Sequence, residues 1–237
     1  MKIIVSAFIL LISVNGFSQT VIGFGKTNSG AALTSLTYYV GGFSSINAQY
    51  ATIVDGSAFF NDKFVTGRVV LNDGQVFDSI SLRLDLLDNT VHYMSSEGEE
   101  LVAKTTMRTV VLYDGSALQK EVRFDHSDFI NPAIEKGWYQ LLDTGTVRLY
   151  KRHIKTITEN KQYNSAIYEQ SIITTYGYYI LINSVFTQVK KLKFLPDMLQ
   201  LKKTELLEYI SSNNLTGKSD KDYSALVSYY NSLVVKK

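Results

Sequence analysis

Between Ser79 and Leu86, the apolar residues Ile80, Leu82, Leu84 and Leu86 alternate strictly with Ser79, Ser81, Arg83 and Asp85. Successive side chains of an extended chain point to opposite faces, so this segment reads as a strand with one dry face and one wet face. A slip of one residue would turn the leucines into water, which fixes the register. The segment needs strand partners on its edges and a second layer over its apolar face.

The flanking sequence supplies the partners. Phe64 to Leu71 reads as a strand, Asn72-Asp73-Gly74 as a turn that tolerates positive φ, and Gln75 to Phe77 as the start of the return. Asp88-Asn89 turns the chain into Val91 to Met94, and Ser96 to Gly98 turns it into Leu101 to Ala103. Met107 to Tyr113 then runs to Asp114-Gly115 and Leu118 to Phe124. Such spacing leaves no room for crossover helices and predicts an antiparallel meander that can curl into a barrel or half-barrel. After Pro132, strands at Trp138 to Leu142 and Val147 to Ile157 flank Asp143-Thr144-Gly145. A polar stretch covers Thr158 to Ser171, and an apolar strand opens at Tyr176 and runs to Phe186.

The period changes in the last fifty residues. Pro196 suits a first helical turn, and Leu195, Met198, Leu199, Leu206, Leu207 and Ile210 form an apolar stripe with a break near Leu201. Ser219 caps a second helix, in which Tyr223, Leu226, Val227 and Tyr230 share one face. The expected fold class is α+β: an antiparallel meander followed by two C-terminal amphipathic helices packed on the sheet.

At the other end, Lys2 precedes an apolar run from Ile3 to Ile12, and small residues Gly16 and Ser18 stand just before Gln19. The run is too short to span a bilayer, and the pattern is that of a secretory signal cleaved before Gln19. The expected organisation is a signal peptide over 1–18, a Gly/Ser-rich lead-in over 19–61, the β domain over 62–190 and the helical pair over 191–237. Export predicts a periplasmic, cell-surface or extracellular product. The chain has no cysteine, so stability must come from apolar burial without disulfides or a lipid anchor on cysteine. No transmembrane segment is expected after cleavage.

The net charge of +2 gives no long-range pull toward nucleic acid. The charge is uneven, with 11 Lys+Arg against 15 Asp+Glu up to residue 149 and 13 against 7 beyond it. The basic excess singles out Arg148, Lys151, Arg152 and Lys155, with Lys190, Lys191 and Lys193 further on, as a patch for an acidic polysaccharide, a lipid head group or an acidic envelope protein. Tyr176, Tyr178 and Tyr179 are the matching aromatic candidates for stacking. Against this, alternation sends Lys151 and Arg152 to opposite faces.

Catalytic signatures are sparse. Asp125-His126-Ser127-Asp128 is the one place where imidazole, hydroxyl and carboxylates crowd together, which makes a secreted hydrolase centred on Asp125, His126 and Asp128 the alternative reading. No Gly-x-Ser-x-Gly turn accompanies it. The acids Asp85 with Asp88, and Glu97 with Glu99 and Glu100, lie on turns where a glycosidase pair is not expected. Gly23-Phe24-Gly25 lacks the third glycine and the strand-helix frame of a dinucleotide site. No metal and no cofactor is expected. An outer-membrane-associated β protein is a further alternative, disfavoured by the Lys-rich helical end.

The run Gly56-Ser57-Ala58-Phe59-Phe60-Asn61-Asp62-Lys63-Phe64, the hairpin Gly67-Arg68-Val69-Val70-Leu71-Asn72-Asp73-Gly74 and Leu82-Arg83-Leu84-Asp85-Leu86 resemble a group of exported, mostly uncharacterised proteins of Bacteroidota. The similarity spans about residues 55 to 235 and includes the Lys-rich helical end. Ala58-Phe59 stands where that group commonly has Pro-Tyr. The resemblance implies an envelope or secreted location and carries no chemistry. The sequence thus points to a non-enzymatic binding or scaffolding protein of the cell envelope.

Overall fold

A computed structural model describes residues 42–44, 53–113, 120–161, 168–199 and 201–234. The strands are β1 (Gly42–Ser44), β2 (Ile53–Asp55), β3 (Val65–Val70), β4 (Val76–Asp85), β5 (Thr90–Met94) and β6 (Glu100–Ala103). They continue with β7 (Thr109–Tyr113), β8 (Glu121–His126), β9 (Trp138–Asp143), β10 (Arg148–Lys161), β11 (Tyr168–Ile182) and β12 (Val185–Val189). A short helix α1 (Ser127–Ile130) follows β8. A 3-10 turn (Leu192–Phe194) leads into α2 (Leu195–Leu199), α3 (Lys203–Ser212) and α4 (Asp220–Val234). The signal segment, the Asp114-Gly115 turn and most of the lead-in lie outside the described residues.

All strands join one sheet in the order β1-β6-β5-β4-β3-β7-β8-β9-β10-β11-β12, with β2 attached to β11. Every pairing is antiparallel except the parallel one between β2 and β11. The predicted meander is therefore present in two runs, β3 to β6 and β7 to β12, which meet where β7 pairs with β3.

The link between those runs explains the curvature. By the alternation of pairings, β6 and β7 run in the same direction with β5, β4 and β3 between them. In a flat sheet the chain would have to move about 19 Å sideways and, by the strand registers, about 23 Å lengthwise. Lys104 to Arg108 can reach only about 20 Å. The sheet must coil so that this link passes inside the curve. Met107, within the link, is fully buried, and Arg108 is tied to both runs, donating its N–H to Val70 O (2.8 Å) and accepting from His126 N (3.0 Å). Gly67 permits the tight contact of β3 with β7, because a Cβ there would lie 2.3 Å from Val111 O.

The sheet does not close on itself, since β1 and β12 stand at opposite ends of the strand order. The lead-in links β11 to β4: β2 pairs with β11, and three residues later Ala58 O accepts from Leu86 N while Phe60 N donates to Leu84 O. Ala58, Phe59 and Ile172 form a small apolar cluster at this bridge.

Two larger cores result. Leu82, Leu84, Tyr93, Met107, Leu112, Phe124 and Trp138 fill the inside of the curl. Leu149, Ile180 and Val189 on the sheet meet Leu195, Leu199, Leu206, Tyr223, Leu226, Val227 and Tyr230 from the helices. The C-terminal helices thus cover the β9–β12 end, while the β3–β8 part covers itself by bending. Each fully buried Leu or Val contributes about 1.5–3 kcal/mol.

Three sequence expectations need correction. The polar stretch from Thr158 is largely strand, since β10 continues to Lys161 and β11 begins at Tyr168; Thr158, Glu169, Gln170 and Ser171 are half-buried and Glu159 is exposed. The apolar strand to Phe186 is interrupted at Asn183-Ser184, both with positive φ (48° and 65°), as a two-residue hairpin turn requires. The break expected near Leu201, where Lys202 has φ 63°, divides the first terminal helix outright, so three helices close the chain where two were expected.

Candidate binding surface

The register of β10 against β11 assigns each candidate residue to a face. Lys151 lies opposite Tyr178, His153 opposite Tyr176 and Lys155 opposite Thr174. These pairs share the face that carries the helices, because Leu149 and Ile180 belong to the same alternation and to the helix-covered core. Arg148, Arg152 and Tyr179 point to the other face. Four of the seven candidates are together and three are apart.

On the helix-bearing face, the Lys151 ammonium lies 2.9 Å from both carboxylate oxygens of Asp220. The Tyr178 hydroxyl donates to Asp220 at 2.5 Å, and the Tyr178 ring stacks on Tyr223 at 3.9 Å. Burial pushes the Asp220 carboxyl up, yet the hydrogen bonds from Tyr178 and Lys151 outweigh it and hold the group below its ordinary value. The Tyr178 hydroxyl is raised, by burial first and then by Asp220. Lys151 and Tyr178 therefore fasten the start of α4 to the sheet.

One step along the strand, His153 Nε2 meets Gln140 Oε1 at 2.7 Å, and its ring is edge-on to Phe60 and Tyr176. Burial, reinforced by Lys151, lowers its pKa to about 4, so the imidazole is neutral. Tyr176 remains 57% exposed, with the Lys151 ammonium 4.2 Å from its ring centre. Lys155 is half-buried, and burial lowers its pKa against the pull of Asp62 and Asp85.

The opposite face is sealed by aromatic rings. Tyr179 stacks on Phe186 at 5.1 Å, and Tyr139 meets both rings edge-on. Arg152 donates to Glu135 Oε1 at 2.6 Å and to Lys136 O at 3.3 Å. Tyr150 donates to Asp125 Oδ2 at 3.2 Å, and burial pushes its hydroxyl up to about 12. Arg148 is exposed.

The Asp125-His126-Ser127-Asp128 segment is divided by the same alternation. Asp125 accepts from Thr109 Oγ1 at 2.8 Å and Arg123 Nε at 2.9 Å, on the face with Tyr150. His126 packs edge-on against Trp138 on the other face and caps α1 by accepting from Asp128 N. Asp128 is paired with Lys136. The acids at 85 and 100 are also committed to neighbours. Asp85 Oδ1 accepts from the N–H groups of Leu87 and Asp88, and Glu100 Oε1 lies 2.6 Å from both Arg83 Nη2 and His92 Nδ1. Among the described residues, no cluster of three or more His, Cys, Asp or Glu could hold a metal ion.

Two features escaped sequence reasoning. Lys190, Lys191 and Lys193 line a pocket of about 320 Å³ with Thr216, Gly217 and Tyr223. The Lys-Lys-x-Lys spelling was visible, but its convergence with the α3–α4 turn depends on tertiary packing. The turn is held by Asp222, whose Oδ2 accepts the N–H groups of Thr216, Gly217 and Lys218. The second feature is a stretch of the outer edge of β11, between its pairings with β2 and β12, that has no strand partner among the described residues.

No family model, curated protein or solved structure matches this chain. Among the described residues, no helix is long and apolar enough to cross a membrane.

Proposed function

We propose that this is an exported, non-enzymatic binding protein of the cell envelope or its exterior, which holds an anionic partner at the pocket formed by Lys190, Lys191 and Lys193. The observation that carries the reading is the convergence of three lysines on one concavity without a counter-ion. None of the three takes part in an ion pair among the described residues. Lysines at an exposed rim attract carboxylate, sulfate or phosphate groups with a strength that falls as salt rises. The signal-like leader before Gln19 and the resemblance to exported proteins support the location.

The test is titration of the protein with polyglutamate and with dextran sulfate at low and physiological ionic strength. Wild type binds, and the K190Q/K191Q/K193Q variant binds at least tenfold more weakly with an unchanged fold by circular dichroism. Absence of binding by wild type to either polymer, or equal binding by the variant, removes the proposal. Secretion is checked separately by N-terminal sequencing of the product from cell fractions, where the chain starts at Gln19.

A further inference from the structure

The outer edge of β11 is unevenly used. On its inner edge β10 pairs with the strand from Tyr168 to Leu181. On the outer edge β2 reaches Ser171 and β12 begins at Tyr178, and the Gly56 backbone lies against Ile172 O. The stretch Ile173 to Gly177, about 17 Å of strand, has no strand partner on that edge among the described residues.

The hairpin turn tells which backbone groups are open. A two-residue turn at Asn183-Ser184 closes on Ile182 and Val185 as a hydrogen-bonded pair. Hydrogen bonding toward the outer edge then recurs at every second residue: Ile182, Ile180 and Tyr178 bond to β12, and Tyr176 and Thr174 point their N–H and C=O groups into the gap. Unpaired groups in a row on a flat edge are a template for one more strand. The flanking side chains are also available, since Ile173 and Tyr176, on opposite faces, are 47% and 57% exposed.

Charge selects the occupant. The last pair of β12 is Val189 with Tyr178, so Lys190 and Lys191 leave the ladder at one mouth of the gap, and the lysine pocket opens beside it. Asp55, the last residue of β2, stands at the other mouth. We infer that the gap between β2 and β12 takes an extended peptide as an added strand, with acidic residues at the end nearest Lys190 and Lys191. The inference rests on the anionic-partner reading above and makes that partner a protein segment. Main-chain bonds to Thr174 and Tyr176 supply the docking, and the lysines set polarity and choice.

The experiment uses the full chain and a fluorescein-labelled peptide Glu-Glu-Val-Thr-Val-Thr, an otherwise identical peptide with alternate backbone nitrogens methylated, and a Lys-Lys-Val-Thr-Val-Thr control. The expected result is that the first peptide binds at least tenfold more tightly than either other, and that it slows amide hydrogen exchange at Thr174 and Tyr176 at least tenfold. The K190E/K191E variant reverses the preference between the acidic and basic peptides. Thr174→Pro removes one outward donor while leaving the β10 ladder intact, and it weakens binding. If the methylated peptide binds as well and exchange at Thr174 and Tyr176 is unchanged while polyglutamate still binds, strand addition is wrong and the pocket reading stands. If polyglutamate fails as well, both are wrong. Self-association that protects these two amides without peptide assigns the edge to a second copy and overturns the inference.

Discussion

His153 is a titratable side chain set in largely apolar surroundings. It sits among Phe60, Phe124 and Tyr176, with Gln140 as its hydrogen-bond partner. Its folded pKa is about 4, below the ordinary value near 6.5. Between these values the unfolded chain binds the proton and the folded chain does not, so the contribution of this group to stability falls as pH drops from about 6.5 to about 4 and levels off below. At 1.36 kcal/mol per unit, the loss is about 3 kcal/mol. His126, lowered by its own burial, acts in the same direction and leaves a residual slope. His153→Gln is expected to flatten the decline in urea midpoint over this window. An equally steep decline in the variant would mean that the folded protein protonates His153 readily.

At the level of elements, α4 is attached through its first turn as well as its apolar stripe. The side chain of Lys151 is 11% exposed and that of Asp220 40%, so this pair lies between a surface ion pair and a buried one. Asp220→Asn leaves a lysine under the helix without its charge partner. It is expected to cost about 1–2 kcal/mol and to speed amide exchange in the first two turns of α4 while β10 stays protected. Unchanged exchange would show that the Tyr178–Tyr223 stack and the stripe hold the helix unaided. Much of this element was legible beforehand: Tyr223, Leu226, Val227 and Tyr230 were spaced as one face, and all four are buried. So were most of the strands, because period-two alternation follows from local geometry alone. What could not be read was tertiary. Sequence alternation separates Lys151 from Arg152, but nothing local says that Lys151 meets an acid sixty-nine positions later, that the lysines at 190–193 share a pocket with Gly217, or that β11 runs past both its outer neighbours. The turn at Asn183-Ser184 was masked by the apolar residues on either side of it.

For the whole molecule, the question is whether two cores covered in different ways behave as one. The curled part covers itself and the β9–β12 part depends on helices, which would favour separate unfolding if the two parts met only through side chains. They are joined by backbone pairing instead: β8 pairs with β9, and β9 with β10 across a bulge at Leu149–Tyr150. Trp138, in the curl-side core, lies on β9, whose other edge pairs with β10 beneath α4. Losing the helix layer exposes Leu149 and Ile180 and weakens the strand that supports Trp138 from that edge. Trp138 is the only tryptophan in the chain, so its fluorescence reports the far core. Leu226→Ala, a truncation wholly on the helical side, is expected to destabilise the protein by about 2–4 kcal/mol and to shift the Trp138 fluorescence transition and the far-ultraviolet circular dichroism transition together. Were the dichroism to move while the tryptophan midpoint stayed in place, the ladder would not couple the cores, and the curled part would be a folding unit independent of the helical cover.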